Sequence, residues 1–345
     1  MKNVKIMNYS KFSIIKMTRN RKVNYLILLL FLILIYIVIA ENIFCLSCFY
    51  SNYVYAKGEK ISTPSNFKVA FIGDQGLNNY SRAVLQMIKN EEAEIVLHQG
   101  DFDYLENTDE WDKQINDILG PDFPYFASIG NHDIGEWKNY QQKLQSRLNR
   151  VKGAVCTGNL GVKSACTYKG LFFILSGVGT KGFAHHMFIR DKLSSNNFIW
   201  RICSWHKNQR LMQVGDKKDE VGWKAYEECR RGGAIIATAH EHSYSRTYLI
   251  DNFRNQSIAS ASNTLRIRRG KTFAFVSALG GHSIRNQNGT LAANDWWASV
   301  YTSKQGANYG ALFCVFNQNG IKNKAHCYFK DIDGRVPDEF DVISN

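Results

Sequence analysis

The sequence predicts a layered α/β fold, and three observations predict it. Short apolar runs alternate with stretches of helical periodicity from Phe67 to Thr238. The polar motifs of that region each follow one of the strand-like runs. Beyond Thr247 the character changes to strand-like runs broken by Gly and Asn. Strands separated by helices imply a layered sheet, with ligands collecting in the loops at the strand ends.

In order, Phe67 to Gly73 reads as a strand ending in Gly-Asp, and Ser81 to Lys89 as a helix with Val84, Met87 and Ile88 at helical spacing. Glu94 to His98 is a second strand, running into Gln99-Gly100-Asp101, and Glu110 to Leu119 a second helix. Pro124 to Ile129 is a strand ending in Gly130-Asn131-His132-Asp133, followed by a helix over Lys138 to Leu148. Strands are expected near Leu171 to Leu175 and Ile199 to Trp205, a helix around Gly222 to Arg230, and a strand over Ala234 to Thr238. The later runs, Thr272 to Ala278, Ala311 to Phe316 and Ala325 to Phe329, are expected to form a further sheet of the same sandwich. No internal repeat or low-complexity segment interrupts this pattern.

The chain has 345 residues, 45% of them hydrophobic, enough for one domain with a substantial core over 66–345. Its net charge of +13 is unevenly placed: Lys2, Lys5, Lys11, Lys16, Arg19, Arg21 and Lys22 fall in the first 22 positions, which contain no acid. Setting those seven aside leaves +6 on the rest, so no nucleic-acid partner is expected. Directly after this basic tail, Val23 to Ala40 is an apolar run long enough to cross a bilayer. It reads as a transmembrane signal-anchor, with a cleaved signal peptide as the alternative, and 41–65 as a linker. The basic side stays in the cytoplasm, so both readings put the globular part outside it, anchored or secreted. The membrane is thus an expected partner through the N-terminal segment.

Six of the eight cysteines, Cys156, Cys166, Cys203, Cys229, Cys314 and Cys327, lie in the globular part. An even number in an exported chain suggests disulfides, and buried free thiols are the alternative. Cys156 with Cys166 and Cys314 with Cys327 would each close a short loop beside strand-like segments, which leaves Cys203 with Cys229.

Oxygen and nitrogen donors recur at the strand ends: Asp74, then Asp101 with Asp103 and Tyr104, then Asn131 with His132 and Asp133, then His206, then His240 and His242. Singly, an Asp after a strand is often a helix cap, and a His on an apolar strand is often a satisfied core residue. His98 is read in that second way. Five strand ends delivering such donors are hard to explain by capping. A pair of hard or borderline cations needs several anionic or imidazole ligands and a carboxylate between them, and this set supplies that number. His185, opening a helix, is a further candidate for approaching substrate.

These residues resemble the calcineurin-like metallophosphoesterases. The resemblance runs through Gly73-Asp74-Gln75-Gly76, Gly100-Asp101-Phe102-Asp103-Tyr104, Gly130-Asn131-His132-Asp133, Cys203-Ser204-Trp205-His206 and Ala239-His240-Glu241-His242. Gly76 stands where general members carry a histidine, and Tyr104 supplies a phenolate instead. That paired change is similar to the purple acid phosphatases. The resemblance implies a four-layer α/β/β/α sandwich and two metal ions. Metal one would take Asp74, Asp101, Tyr104 and His242; metal two would take Asp101, Asn131, His206 and His240. Asp101 becomes the bridge. A phenolate suits Fe(III) at the first position, with Zn, Fe or Mn at the second. His132, beside a metal ligand and with Asp133 as its acidic neighbour in a catalytic pair, would contact phosphate or protonate the leaving group. The segment after His206, Lys207-Asn208-Gln209-Arg210, lacks the extra histidines that many relatives place against substrate.

The expected activity is hydrolysis of small phosphate monoesters by direct attack of a metal-bound hydroxide, because no nucleophilic Ser or Cys sits in the motifs. A phosphodiesterase acting on nucleotides or phospholipid headgroups is the nearest alternative. A non-catalytic receptor or adhesion domain would predict lost ligands, and the complete set is present.

Overall fold

The computed structural model describes residues 62–345, together with Leu29, Leu32 and Ile33. Apart from those three, the basic tail, the apolar run at 23–40 and the linker up to residue 61 lie outside the described residues. Among the described residues no helix is long and apolar enough to cross a membrane. Thr63 is buried, and its carbonyl accepts from the Asn317 side chain, so the fold takes in the end of the expected linker.

The chain begins with β1 (Phe67–Ile72), α1 (Asn79–Asn90), β2 (Ile95–His98), α2 (Thr108–Ile118), β3 (Tyr125–Ala127) and α3 (Trp137–Arg150). A hairpin of β4 (Val155–Asn159) and β5 (Lys163–Tyr168) leads into β6 (Leu171–Ser176), α4 (His185–Ser194), β7 (Trp200–Ser204), α5 (Lys224–Gly232) and β8 (Ile235–Thr238). Then follow β9 (Tyr244–Thr247), β10 (Leu249–Asn252), β11 (Ser257–Ser260), β12 (Thr264–Ile267), β13 (Ala274–Ser277), α6 (Gly289–Ala292) and β14 (Trp297–Tyr301). The chain ends in β15 (Gly310–Phe316), β16 (Lys324–Asp331) and β17 (Asp338–Ser344).

Seven strands form one sheet in the order β12, β17, β16, β15, β1, β2, β3, and eight form another in the order β14, β9, β13, β8, β7, β6, β5, β4. Helices α1 to α3 pack together on the first sheet, and α4 and α5 on the second, which gives the four layers expected. Between the sheets, Phe71 meets Phe275 edge-on at 5.2 Å and Phe126 meets Phe173 at 4.7 Å. Ser128 Oγ donates to the Ser204 carbonyl (2.9 Å), and Ser277 Oγ to that of Phe71 (2.9 Å), so the sheets are stitched by hydrogen bonds as well as by apolar contact.

Strands β1, β2 and β3 are mutually parallel, as are β6, β7, β8 and β13. Each is buried on both faces, which is why these segments read as continuous apolar runs rather than alternating ones. The expectation that the chain beyond Thr247 builds a sheet of its own is corrected. β13 enters the second sheet beside β8, whereas β15 pairs antiparallel with β1 in the first. Apolar pattern marks a strand but not its partner, and pairing is decided by which edge is open when the chain returns.

All three expected disulfides are present: Cys156–Cys166 and Cys314–Cys327 between directly opposed strand positions, and Cys203–Cys229 from β7 to α5. Cys203 therefore faces the helix layer, and its presence three residues before His206 alters packing rather than the loop beyond.

Candidate metal centre

The donors named from sequence converge where the carboxyl ends of the parallel strands of both sheets meet. Asp74 leaves β1, Asp101 and Tyr104 follow β2, Asn131 follows β3, His206 follows β7, and His240 and His242 follow β8. Two glycines let the first loops close up: a Cβ on Gly100, whose φ is +92°, would lie 2.7 Å from the Gly130 Cα. Asp74, Asp101 and Tyr104 hold left-handed backbone at φ 58°, 61° and 62°, and His240 at 70°. Such conformations in residues with a Cβ persist only where the surroundings enforce them. Here Asp74 N, Gln75 N and Gly76 N donate in succession to the carbonyls of Gly100, Asp101 and Phe102.

Two groups of side chains result. In one, Tyr104 donates its hydroxyl to Asp74 Oδ1 (2.7 Å), and His242 Nε2 lies 3.1 Å from both of those oxygens. In the other, His206 Nε2 lies 3.1 Å from Asp101 Oδ2 and 3.0 Å from His240 Nδ1. The His240 backbone N–H donates to Asp74 Oδ2 (2.8 Å) and joins the groups. The ligand atoms of Asp101, His206 and His240 all lie within 4.8 Å of one another. Asp101's charge raises the pKa of both Tyr104 and His206, so it acts on both groups.

The hydrogen bonds show that this donor set fits cations. His206 Nδ1 faces the Gln99 carbonyl (2.9 Å), which only accepts, so that nitrogen carries the proton. His240 Nε2 faces Glu220 Oε2 (2.7 Å), so its proton belongs there. Neutral rings would then aim the lone pairs of His206 Nε2 and His240 Nδ1 at each other, beside a carboxylate oxygen. Only a positive charge makes that arrangement favourable. Asn131 Oδ1, buried with no hydrogen-bond partner, adds an oxygen donor in want of one.

Without metal, protons take that charge. Burial opposes ionisation of His206, but the Asp101 carboxylate pushes it up to about 9. Burial and the charge on His206 push His240 down to about 3. Burial also opposes ionisation of Asp74, yet His242 holds its carboxyl well below the usual range. Burial together with the charges of Asp74 and Asp101 keeps the Tyr104 phenol protonated, a preference that a trivalent cation in contact would reverse.

Two expectations are corrected. Asp133 is not an acidic partner of the His132 ring. Its carboxylate is fully buried and accepts from the backbone N–H groups of Gly130 (2.7 Å), Asp101 (2.9 Å) and Phe102 (2.8 Å), so it positions the loops. Burial, with Asp101's charge beside it, pushes Asp133 up to about 8. The His185 ring, expected at the substrate, is instead buried, with Ser176 Oγ and the Lys181 carbonyl each 2.9 Å from a ring nitrogen, so both nitrogens are already engaged. His98 is a buried core residue, stacked on Tyr125 and edge-on to Phe102.

His132 is exposed at the mouth of the site, with its ring 4.6 Å from that of Tyr104 and its backbone N–H on Asp101 Oδ1 (2.9 Å). Three further residues complete the surroundings of the site. His282 stacks on Tyr104 with centroids 3.5 Å apart; a Cβ on Gly76 would lie 3.5 Å from its Cα, so it occupies the flank that Gly76 leaves open. Ser283 Oγ bonds His242 Nδ1, and Glu220 bonds His240. The Gly280-Gly281 pair after β13 signals a close approach at His282, whereas nothing in Lys217-Lys218-Asp219-Glu220 marks the glutamate.

Comparison with solved structures places the fold. Purple acid phosphatase PPD1 from yellow lupin (Lupinus luteus) seeds superposes with a TM-score of 0.60 at 18% identity, over 82% of this chain and 55% of that one. The chain thus spans about half the length of that phosphatase. A structure of PhoD superposes with a TM-score of 0.49 at 11% identity, over 80% of this chain and 72% of that one. No curated protein matches the sequence. The sequence profile of the calcineurin-like phosphoesterases matches residues 67–244, just over half of the chain, and the chain belongs to that family.

Proposed function

We propose that this chain hydrolyses phosphate monoesters at a two-cation centre, in the manner of an acid phosphatase. The observation that carries the reading is the convergence of His206 Nε2 on His240 Nδ1 (3.0 Å) and on Asp101 Oδ2 (3.1 Å). Asp74, Tyr104 and His242 would hold one ion, Asn131, His206 and His240 the other, with Asp101 shared. Bound there, the pair supplies Lewis acidity toward phosphate oxygens and a water of lowered pKa.

The remaining work falls to the chain's own residues. His132, whose ring makes no hydrogen bond among the described residues, can hold a proton for the leaving oxygen. Asp133, behind it, keeps the Asp101 and Asn131 loops in register. Tyr104 and His282, stacked face to face, wall one side of the site. The six described core cysteines are all paired, so none is free as a nucleophile. We also place the domain outside the cytoplasm, a reading that the three disulfides support.

The test is elemental analysis of the purified chain with turnover of matched mono- and diesters. Two metal ions per chain and preference for the monoester are expected. A metal-replete protein inactive on every phosphoester would overturn the reading.

A further inference from the structure

The segment from Lys207 to Gly222 links β7 to α5 and carries none of the histidines that relatives place there. Its one side chain in hydrogen-bond contact with a ligand is that of Glu220. Glu220 Oε2 lies 2.7 Å from His240 Nε2, and Glu220 Oε1 lies 2.5 Å from Lys207 Nζ, so each oxygen of the carboxylate is engaged. The contacts are sheltered: the side chains of His240, Glu220 and Lys207 are 6%, 15% and 17% exposed. The backbone holds the carboxylate in place, with Glu220 N donating to the Asn208 carbonyl (3.2 Å) and Trp205 Nε1 to that of Lys207 (2.8 Å). Lys207 itself directly follows His206, so one short stretch ties both imidazoles of this half of the centre.

A neutral imidazole offers a lone pair from only one nitrogen, and the partner of the other decides which. Glu220 accepts a hydrogen bond from the His240 Nε2–H, which keeps the proton there and leaves Nδ1 bare toward His206 and Asp101. An ordinary ion pair tying a loop would need only Lys207 and Glu220. The third contact, onto a ligand's outer nitrogen, is what that simpler account leaves unexplained.

We propose that Glu220 is a positioning residue that sets the metal affinity of the half-centre containing His206 and His240, and that Lys207 orients it. This rests on the two-cation reading above. The test loads the metal-depleted full chain with zinc alone, against a competing chelator. Wild type is expected to bind two zinc ions. Glu220→Ala should weaken one of the two by about 10- to 100-fold and leave the other unchanged. Glu220→Gln keeps an acceptor oxygen for the imidazole N–H and should recover part of that loss. Lys207→Met should weaken the same ion by less than Glu220→Ala does. Unchanged binding of both ions in Glu220→Ala would overturn the proposal. If that variant fails to fold, unchanged binding in both Glu220→Gln and Lys207→Met overturns it instead. A wild type that binds no pair of zinc ions would sink the two-cation centre itself, a failure distinct from that of Glu220.

Discussion

The two sheets bring different chemistry to the centre and hold it in different ways. Loops of the first sheet supply oxygen donors, Asp74, Asp101, Tyr104 and Asn131, and loops of the second supply imidazoles, His206, His240 and His242. On the oxygen side the backbone does the placing: three left-handed residues, a ladder of amides across the β1 and β2 loops, and Asp133 gathering three N–H groups. On the nitrogen side a partner on each outer ring nitrogen does it: Gln99 O, Glu220 and Ser283. The difference follows from what each donor needs. Carboxylates repel one another and must be held together by rigid chain. An imidazole must be set in one tautomer, which a hydrogen bond can do.

If the oxygen side depends on rigid placement of charge, its shared carboxylate should be the least replaceable group. Asp101→Asn is expected to abolish measurable turnover, a loss of roughly 10³-fold or more, with bound metal falling below two ions per chain. Kinetics and elemental analysis on the same preparation decide it; near-normal activity with both metals retained would refute the bridge.

Asp133→Ala probes the backbone device. It leaves three buried N–H groups without their acceptor, each worth about 1–3 kcal/mol, so a large drop in denaturant stability is expected together with weaker metal binding. His132→Ala, by contrast, touches neither device. It should keep both metals and the wild-type stability while slowing turnover by about 10²- to 10⁴-fold. A His132 variant that lost its metals, or an Asp133 variant as stable as wild type, would break the division between ligand placement and chemistry.

The oxygen side was far more legible in sequence than the nitrogen side. Gly-Asp and Gly-Asn-His-Asp clusters at strand ends announce themselves because glycine, strand and acid occur within a few residues of one another. Helices such as α1 and α3 are legible for a similar reason, since apolar periodicity is local. Glu220 and Ser283 were not, since each matters only through contact with a histidine 20 or 41 positions distant. His282 was readable as a residue but not as a neighbour of Tyr104, because the approach depends on β13 lying beside β8. The same non-local pairing hid the split of the last strands between the two sheets. Asp133 adjoins His132 in sequence, but adjacency along the chain is not adjacency of side chains. In a tight turn, successive side chains diverge, and its carboxylate points back into the loop.

The smallest expected effect on rate, and the sharpest on the comparison, is at Tyr104. It is the oxygen donor least suited to its neighbours: burial and two carboxylates favour the neutral phenol, which donates to Asp74. A divalent ion competes weakly for a phenolate, whereas a trivalent one favours so hard an anionic ligand. Phenolate bound to ferric iron absorbs visible light by charge transfer. The oxidised protein is therefore expected to contain iron and to look violet or pink. Tyr104→Phe removes one oxygen from a group that retains Asp74 and His242, so it should lose the colour while keeping much of its activity. Its ring still stacks on His282, which separates loss of the ligand from loss of packing. Absorption spectra of the two proteins at equal iron content decide the matter. A colourless, fully active wild type with zinc or manganese in both positions, whose Tyr104→Phe variant keeps its metals, would reduce Tyr104 to a packing residue and leave the rest of the centre standing.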